Sequence, residues 1–137
     1  MSYRIVIDTN FWISYLLTNS FTFLDSIFDH PNFIILYDEN LLKEISHVAL
    51  RPKFNGVIKS KDLLKLIDSI EGLGEYIESK SSIEESRDIK DNYLLSLSVD
   101  GKANYLISGD NDLLELKTIS KTKIIGISEL QEILNKL

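Results

Sequence analysis

The 137-residue chain has no cysteine. That absence excludes disulfide staples, thiolate metal sites and cysteine nucleophiles together, and it fits a reducing, cytoplasmic setting. The only two histidines, His30 and His47, lack metal-ligand spacing to each other and read as surface or packing residues. No apolar run approaches the roughly 20 residues a membrane span requires, and the start Met-Ser-Tyr-Arg-Ile has no cleavable signal pattern. A glycine-rich P-loop with its lysine is missing, which argues against nucleotide hydrolysis by that route. There is no internal repeat, low-complexity tract or long linker. What remains is the composition of one folded domain spanning residues 1–137, with 44% hydrophobic and 26% charged residues. Its net charge of −6 argues against a general nucleic-acid binder, because phosphate contacts need Lys or Arg.

The stretch from Arg4 to Ile13 organises the rest. Ile5, Val6 and Ile7 form a β-branched run suited to a strand buried on both faces, and the run ends on a carboxylate, Asp8. Thr9 and Asn10 can cap the helix that follows. Asp8 itself reads either as a cap or as an acid delivered to the carboxyl edge of an open sheet, where ligands of such folds bind.

Helical spacing continues through Phe11, Trp12, Tyr15, Leu16 and Leu17, breaks at Asn19-Ser20 and resumes from Phe21 to Phe28. This aromatic-rich region reads as core or as the interface of a homodimer. Phe33–Tyr37 is a second strand. Asp38 or Asn40 caps a helix whose stripe is Leu41, Leu42, Ile45, Val48 and Ala49, with Glu44 beside it as a solvated or rim carboxylate. Arg51-Pro52-Lys53-Phe54 ends that helix. Ser60 to about Tyr76 reads as a long amphipathic helix weakened by Gly72 and Gly74. Glu78–Arg87 is polar, a surface loop or a ragged edge strand. Asp88-Ile-Lys-Asp91-Asn92 opens a helix carrying Tyr93, Leu94, Leu95, Leu97 and Val99 towards the core, and capping alone could explain both acids. Asn104–Ser108 is a third strand, running into Gly109-Asp110-Asn111-Asp112. Lys123–Gly126 is a last strand, and Ser128–Leu137 a closing helix with Ser128 as cap and Gln131 completing a capping box.

Strands alternating with helices predict a mostly parallel sheet with helices on both faces, so that all strands point their carboxyl ends to one edge. Asp8 and Asp110 then share that edge, and the helices bearing Glu44 and Asp91 begin there. At an effective dielectric of about 20, two carboxylates some 5 Å apart repel by roughly 3 kcal/mol, and a divalent cation resolves the conflict. Hard oxygen donors without cysteine select Mg²⁺ or Mn²⁺, and such a site suits phosphodiester hydrolysis. A phosphatase of the haloacid-dehalogenase type would carry a second aspartate two residues after Asp8, where Asn10 stands.

Ile-Asp8-Thr-Asn10, Leu-Leu-Lys-Glu44-Ile with Arg51-Pro-Lys-Phe54, Asp88-Ile-Lys-Asp91-Asn92 and Ser108-Gly-Asp110-Asn-Asp112-Leu-Leu occur in the order of a known pattern. The chain resembles the PIN-domain ribonucleases over essentially its whole length, particularly the VapC-like toxins of bacterial toxin–antitoxin pairs. The resemblance implies a three-layer α/β/α sandwich with a mostly parallel central sheet, and a Mg²⁺- or Mn²⁺-dependent endoribonuclease paired with an antitoxin protein. Asp8, Glu44, Asp91 and Asp110 match the metal-binding acids, and Asp112 matches a further acid. Asn10, Asp88 and Ser108 would support the site. Ile89 departs from the proline often found between Asp88 and Asp91. For the RNA backbone, Arg51 and Lys53 are candidates, with Lys59 and Lys61 or Lys117, Lys121 and Lys123 beside them; all could equally be a solvated face. A catalytically silent interaction module and a DNA-directed nuclease are the alternatives.

Overall fold

The computed structural model describes residues 2–18, 23–81 and 91–137. Six strands form one sheet in the order β3-β2-β1-β4-β6-β5. The two central strands are β1 (Tyr3–Ile7) and β4 (Tyr105–Ile107). They are flanked by β2 (Phe33–Tyr37) and β6 (Thr122–Ile125). All four run parallel. Ile5, Val6, Ile7, Leu106 and Ile107 are wholly buried, as expected of strands covered on both faces.

Helices cover the sheet: α1 (Thr9–Thr18), α2 (Phe23–Asp29), α3 (Glu39–Ala49), α4 (Ser60–Leu73), α5 (Asn92–Asp100), α6 (Asn111–Leu114) and α7 (Ile127–Asn135). A turn of 3₁₀ helix, Pro52–Phe54, follows α3. This is the expected α/β/α architecture with a mostly parallel sheet. Among the described residues no helix is long and apolar enough to cross a membrane.

Several boundaries differ from the sequence reading. The long helix stops at Leu73, not near Tyr76, because Gly74 turns the chain where a Cβ would stand 2.6 Å from the Ile70 carbonyl oxygen. Glu75–Tyr76 then pairs parallel to β2 as a two-residue edge strand, β3. On the other edge, Thr118–Ile119 forms β5, antiparallel to β6. Strands this short carry too little alternation to be visible as a pattern. The last helix begins at Ile127 with Gly126 at its cap. Ser128 therefore lies inside α7, and no Ser128–Gln131 capping box forms. Asn19-Ser20, the expected break between the first two helices, and Phe21, the expected start of the second, fall outside the described residues.

Trp12 fixes α1 on the sheet. Its side chain is fully buried, it packs against Phe28 with ring centres 5.5 Å apart, and its indole N–H donates to the Ile7 carbonyl at 3.1 Å. The expected aromatic core is thus real at Trp12, while Phe11 and Tyr15 are only partly buried.

Candidate active site

The register of the two central strands makes the site. Val6 pairs with Leu106 and Ile7 with Ile107, so the residues that follow them, Asp8 and Ser108, emerge side by side at the carboxyl edge. The Asp8 N–H donates to the Ile107 carbonyl at 2.9 Å. The Ser108 hydroxyl, fully buried, donates to Asp8 Oδ2 at 2.8 Å and accepts the Asp110 N–H at 3.0 Å. One serine thus bridges the two acidic turns, 100 residues apart in sequence.

Capping and clustering prove compatible. Asp8 Oδ1 accepts the Asn10 N–H at 3.4 Å, and Asp110 Oδ1 accepts the Asp112 N–H at 2.8 Å at the head of α6. The cap of α1 is therefore Asp8, rather than Thr9 or Asn10. Asn10 is exposed and serves Asp8 through its backbone, whereas the Thr9 hydroxyl meets the Tyr93 hydroxyl at 2.6 Å. Asp38 does cap α3, accepting the Leu41 N–H at 2.8 Å through one oxygen and the Ser79 hydroxyl at 2.6 Å through the other.

Asp91 stands at the cap position of α5, but its side chain makes no capping bond there. A carboxylate at this position still meets the positive end of the helix dipole. Glu44 is half-buried on α3, and Asp112 half-buried in α6. The charges of Asp8, Glu44 and Asp91 all bear on the half-buried Tyr93 hydroxyl. Burial raises this phenol above the ordinary tyrosine range, the Thr9 hydrogen bond opposes the rise, and the three acids add to it. Of the expected acids, Asp8 and Asp110 are joined directly through Ser108, while Glu44 and Asp91 are linked to this edge only by the influence of their charges on Tyr93. Arg51 and Lys53 lie exposed in the turn after α3, and the Lys53 ammonium sits 5.1 Å from the centre of the Phe54 ring. Asp88 lies outside the described residues.

Asp8 itself is only 4% exposed. Burial raises its carboxyl above the ordinary aspartate range; bonds from Ser108 and from the Asn10 and Thr9 amides lower it, and the charge of Asp110 raises it again. The net rise means that this edge disfavours negative charge and would be relieved by a cation. Among the described residues, no three histidine, aspartate or glutamate side chains form a ready-made metal cluster. The donor chemistry nevertheless fits a hard divalent cation, since every candidate ligand is a carboxylate oxygen.

A mostly parallel α/β sheet with Asp8, Ser108 and Asp110 together at its carboxyl edge defines an α/β domain of the class that binds its ligands at that edge. A family model described as "PIN domain" matches residues 4–112, most of the chain, and the chain belongs to the PIN domain family, a family of nucleases. The matched span contains Asp8, Glu44, Asp91, Ser108, Asp110 and Asp112. The crystal structure of PAE2754 from Pyrobaculum aerophilum is similar in fold, with a TM-score of 0.62 and 17% identity over 98% of this chain and 91% of that one. No curated protein matches the chain.

Sequence reasoning put Asp8, Ser108 and Asp110 at one edge, where they meet, but missed the Thr9–Tyr93 hydroxyl pair. A tyrosine on an apolar helical stripe looks like any core aromatic. Its position two residues after Asp91, in the first turn of the same helix, was the available signal.

Proposed function

We propose that this PIN domain is an endoribonuclease that hydrolyses RNA phosphodiester bonds with Mg²⁺ or Mn²⁺, and that it is the toxin of a toxin–antitoxin pair. The supporting observation is the Ser108 bridge, which holds the buried Asp8 against the turn of Asp110. In this reading Asp8, Glu44, Asp91 and Asp110 hold the ion, and Asp112 is a further ligand. Asp88 and Asn10 support them. When bound, such an ion polarises a phosphoryl oxygen and makes water a better nucleophile at neutral pH.

The chain supplies position and charge. Ser108 keeps one Asp8 oxygen oriented, and the Asp112 amide does the same for Asp110. An acidic rim on a chain of net charge −6 repels a phosphate backbone, so binding rests on local cations such as Arg51 and Lys53. RNA as the polymer, a protein antitoxin as partner, a homodimer and a cytoplasmic setting complete the proposal; a cysteine-free sequence supports the last of these.

Incubation of the purified protein with RNA and DNA strands, with Mn²⁺ or Mg²⁺ and with chelator, tests it. Expected is cleavage of RNA alone, abolished by chelator and by Asp8→Asn. Preferential DNA cleavage would replace the substrate, and no cleavage of either would favour the silent interaction module. Induced expression in bacteria should arrest growth, and Asp8→Asn should relieve the arrest; growth unaffected by the wild-type chain would remove the toxin role.

A further inference from the structure

Two hydroxyls that were not among the expected site residues meet between the segments that carry Asp8 and Asp91. Thr9 Oγ1 and Tyr93 Oη lie 2.6 Å apart, joining positions 84 residues apart in sequence. Thr9 directly follows Asp8 and opens α1, and Tyr93 stands two residues after Asp91 in the first turn of α5. Thr9 is buried and Tyr93 half-buried. A hydrogen bond sheltered in this way is held in one geometry, because neither hydroxyl recovers a full water shell if the bond opens. The two elements it clasps are the ones that carry Asp8 and Asp91.

Packing alone does not call for this arrangement. A phenylalanine fills the same stripe on α5, and a valine fills the same volume as Thr9; the hydroxyls add only direction. That direction joins the residue after Asp8 to the first turn of the helix that Asp91 heads.

We infer that the Thr9–Tyr93 hydroxyl pair is a positioning device for the acid cluster, setting the separation between the end of β1 and the start of α5, and with it the affinity for a divalent cation. The inference rests on the carboxylate reading above. Neither residue is a ligand; both act through Asp8 and Asp91. Partners of metal-binding side chains typically change affinity by roughly 10- to 100-fold when removed. A purely structural clasp would lower stability and leave cation binding unchanged.

The test is calorimetric titration of Mn²⁺ into the full chain and into Tyr93→Phe, Thr9→Val, Thr9→Ser and the Tyr93→Phe/Thr9→Val double variant, with circular dichroism melts confirming that each is folded. Expected is about a tenfold loss of Mn²⁺ affinity in Tyr93→Phe and in Thr9→Val. The double variant should lose no more than either single one, and Thr9→Ser, which keeps the hydroxyl, should bind as the wild type does. Wild-type affinity in folded Tyr93→Phe overturns the inference, as does a Thr9→Ser variant as weak as Thr9→Val. Absence of saturable Mn²⁺ binding by the wild type overturns the carboxylate reading itself, and is told apart from the other failures because every variant then behaves alike.

Discussion

Replacing Asp8 by asparagine should make the protein more stable while abolishing cleavage. Asp8 is 4% exposed, and burial is the largest influence on its carboxyl, which ends above the ordinary value of 3.8 despite the bonds from Ser108 and two amides. Between that ordinary value and the raised native one, the native state holds more protons than the unfolded chain. Stability therefore falls as pH rises through this window, and the deficit persists at neutral pH. An asparagine carries no charge to desolvate and none to repel Asp110. It still accepts the Asn10 amide, though Ser108 must turn its hydrogen elsewhere. The net gain should be about 1 kcal/mol, the usual yield of removing a feature kept for function, worth roughly 3–5 °C in Tm for a chain of this size. Urea unfolding followed by circular dichroism, with chelator present, measures it at neutral pH and again near pH 3.8, where the gap should shrink because the native wild-type carboxyl takes up its proton. A variant less stable than wild type at neutral pH, or a gap independent of pH, would refute the reasoning: the hydrogen bonds to the carboxylate would then outweigh its burial.

Ser108→Ala removes a donor from a buried carboxylate and an acceptor from the Asp110 amide, and should cost about 1–3 kcal/mol in urea unfolding; the cost should shrink in an Asp8→Asn background, where the charge it serves is gone. Asp100 predicts the opposite pH behaviour from Asp8. Burial raises its carboxyl, but the Ser81 hydroxyl and the Ser81 and Lys80 amides outweigh burial and hold it low. Its contribution is thus present above the ordinary aspartate value and lost as pH falls through the lowered native one. Asp100→Asn should flatten the acid limb of the stability curve and speed hydrogen exchange at the Lys80 and Ser81 amides; unchanged exchange would show that the three bonds do not hold this segment. The double variant Arg51→Ala/Lys53→Ala should weaken RNA binding and flatten its dependence of log affinity on log salt by roughly 1.4 for a single strand, with Mn²⁺ affinity unchanged. An unaltered salt slope would make both residues part of a solvated face.

The central fold was legible because its strands are written in β-branched residues. Ile5, Val6 and Ile7 leave few alternatives to a doubly covered strand, and the same logic holds for Phe33–Tyr37 and the Tyr105–Ile107 core of the third strand. The edges were not legible. Pairing of Glu75–Tyr76 with Leu36 and Tyr37 depends on where the chain lands after α4, a tertiary outcome that two residues cannot announce. Gly74 carried part of the information, and it was read as a weak helical residue rather than as the stop. At the last helix, Ser128 and Gln131 have the right types and spacing for a capping box, yet the helix starts one residue earlier, so the box has no cap to occupy.

The juxtaposition of Asp8 and Asp110 was legible for a topological reason. Once strands are parallel, a carboxylate in the turn just after one stands at the same edge, which brings Asp8 and Asp110 together from distant parts of the sequence without knowledge of a single side-chain contact. Hydroxyl partners obey no such rule. Whether Ser108 reaches Asp8 and Thr9 reaches Tyr93 is decided by register between residues 100 and 84 positions apart, which composition and periodicity do not encode. Capping and site formation also looked like competing explanations of the same aspartates, and that opposition dissolves on counting acceptors. A carboxylate has two oxygens and about four lone-pair positions. Asp8 and Asp110 each spend Oδ1 on the turn they head, which fixes the side chain without exhausting it. A cap bond at the carboxyl edge of a parallel sheet therefore leaves acceptor positions on the carboxylate, and capping does not by itself argue against the proposed role of Asp8 and Asp110.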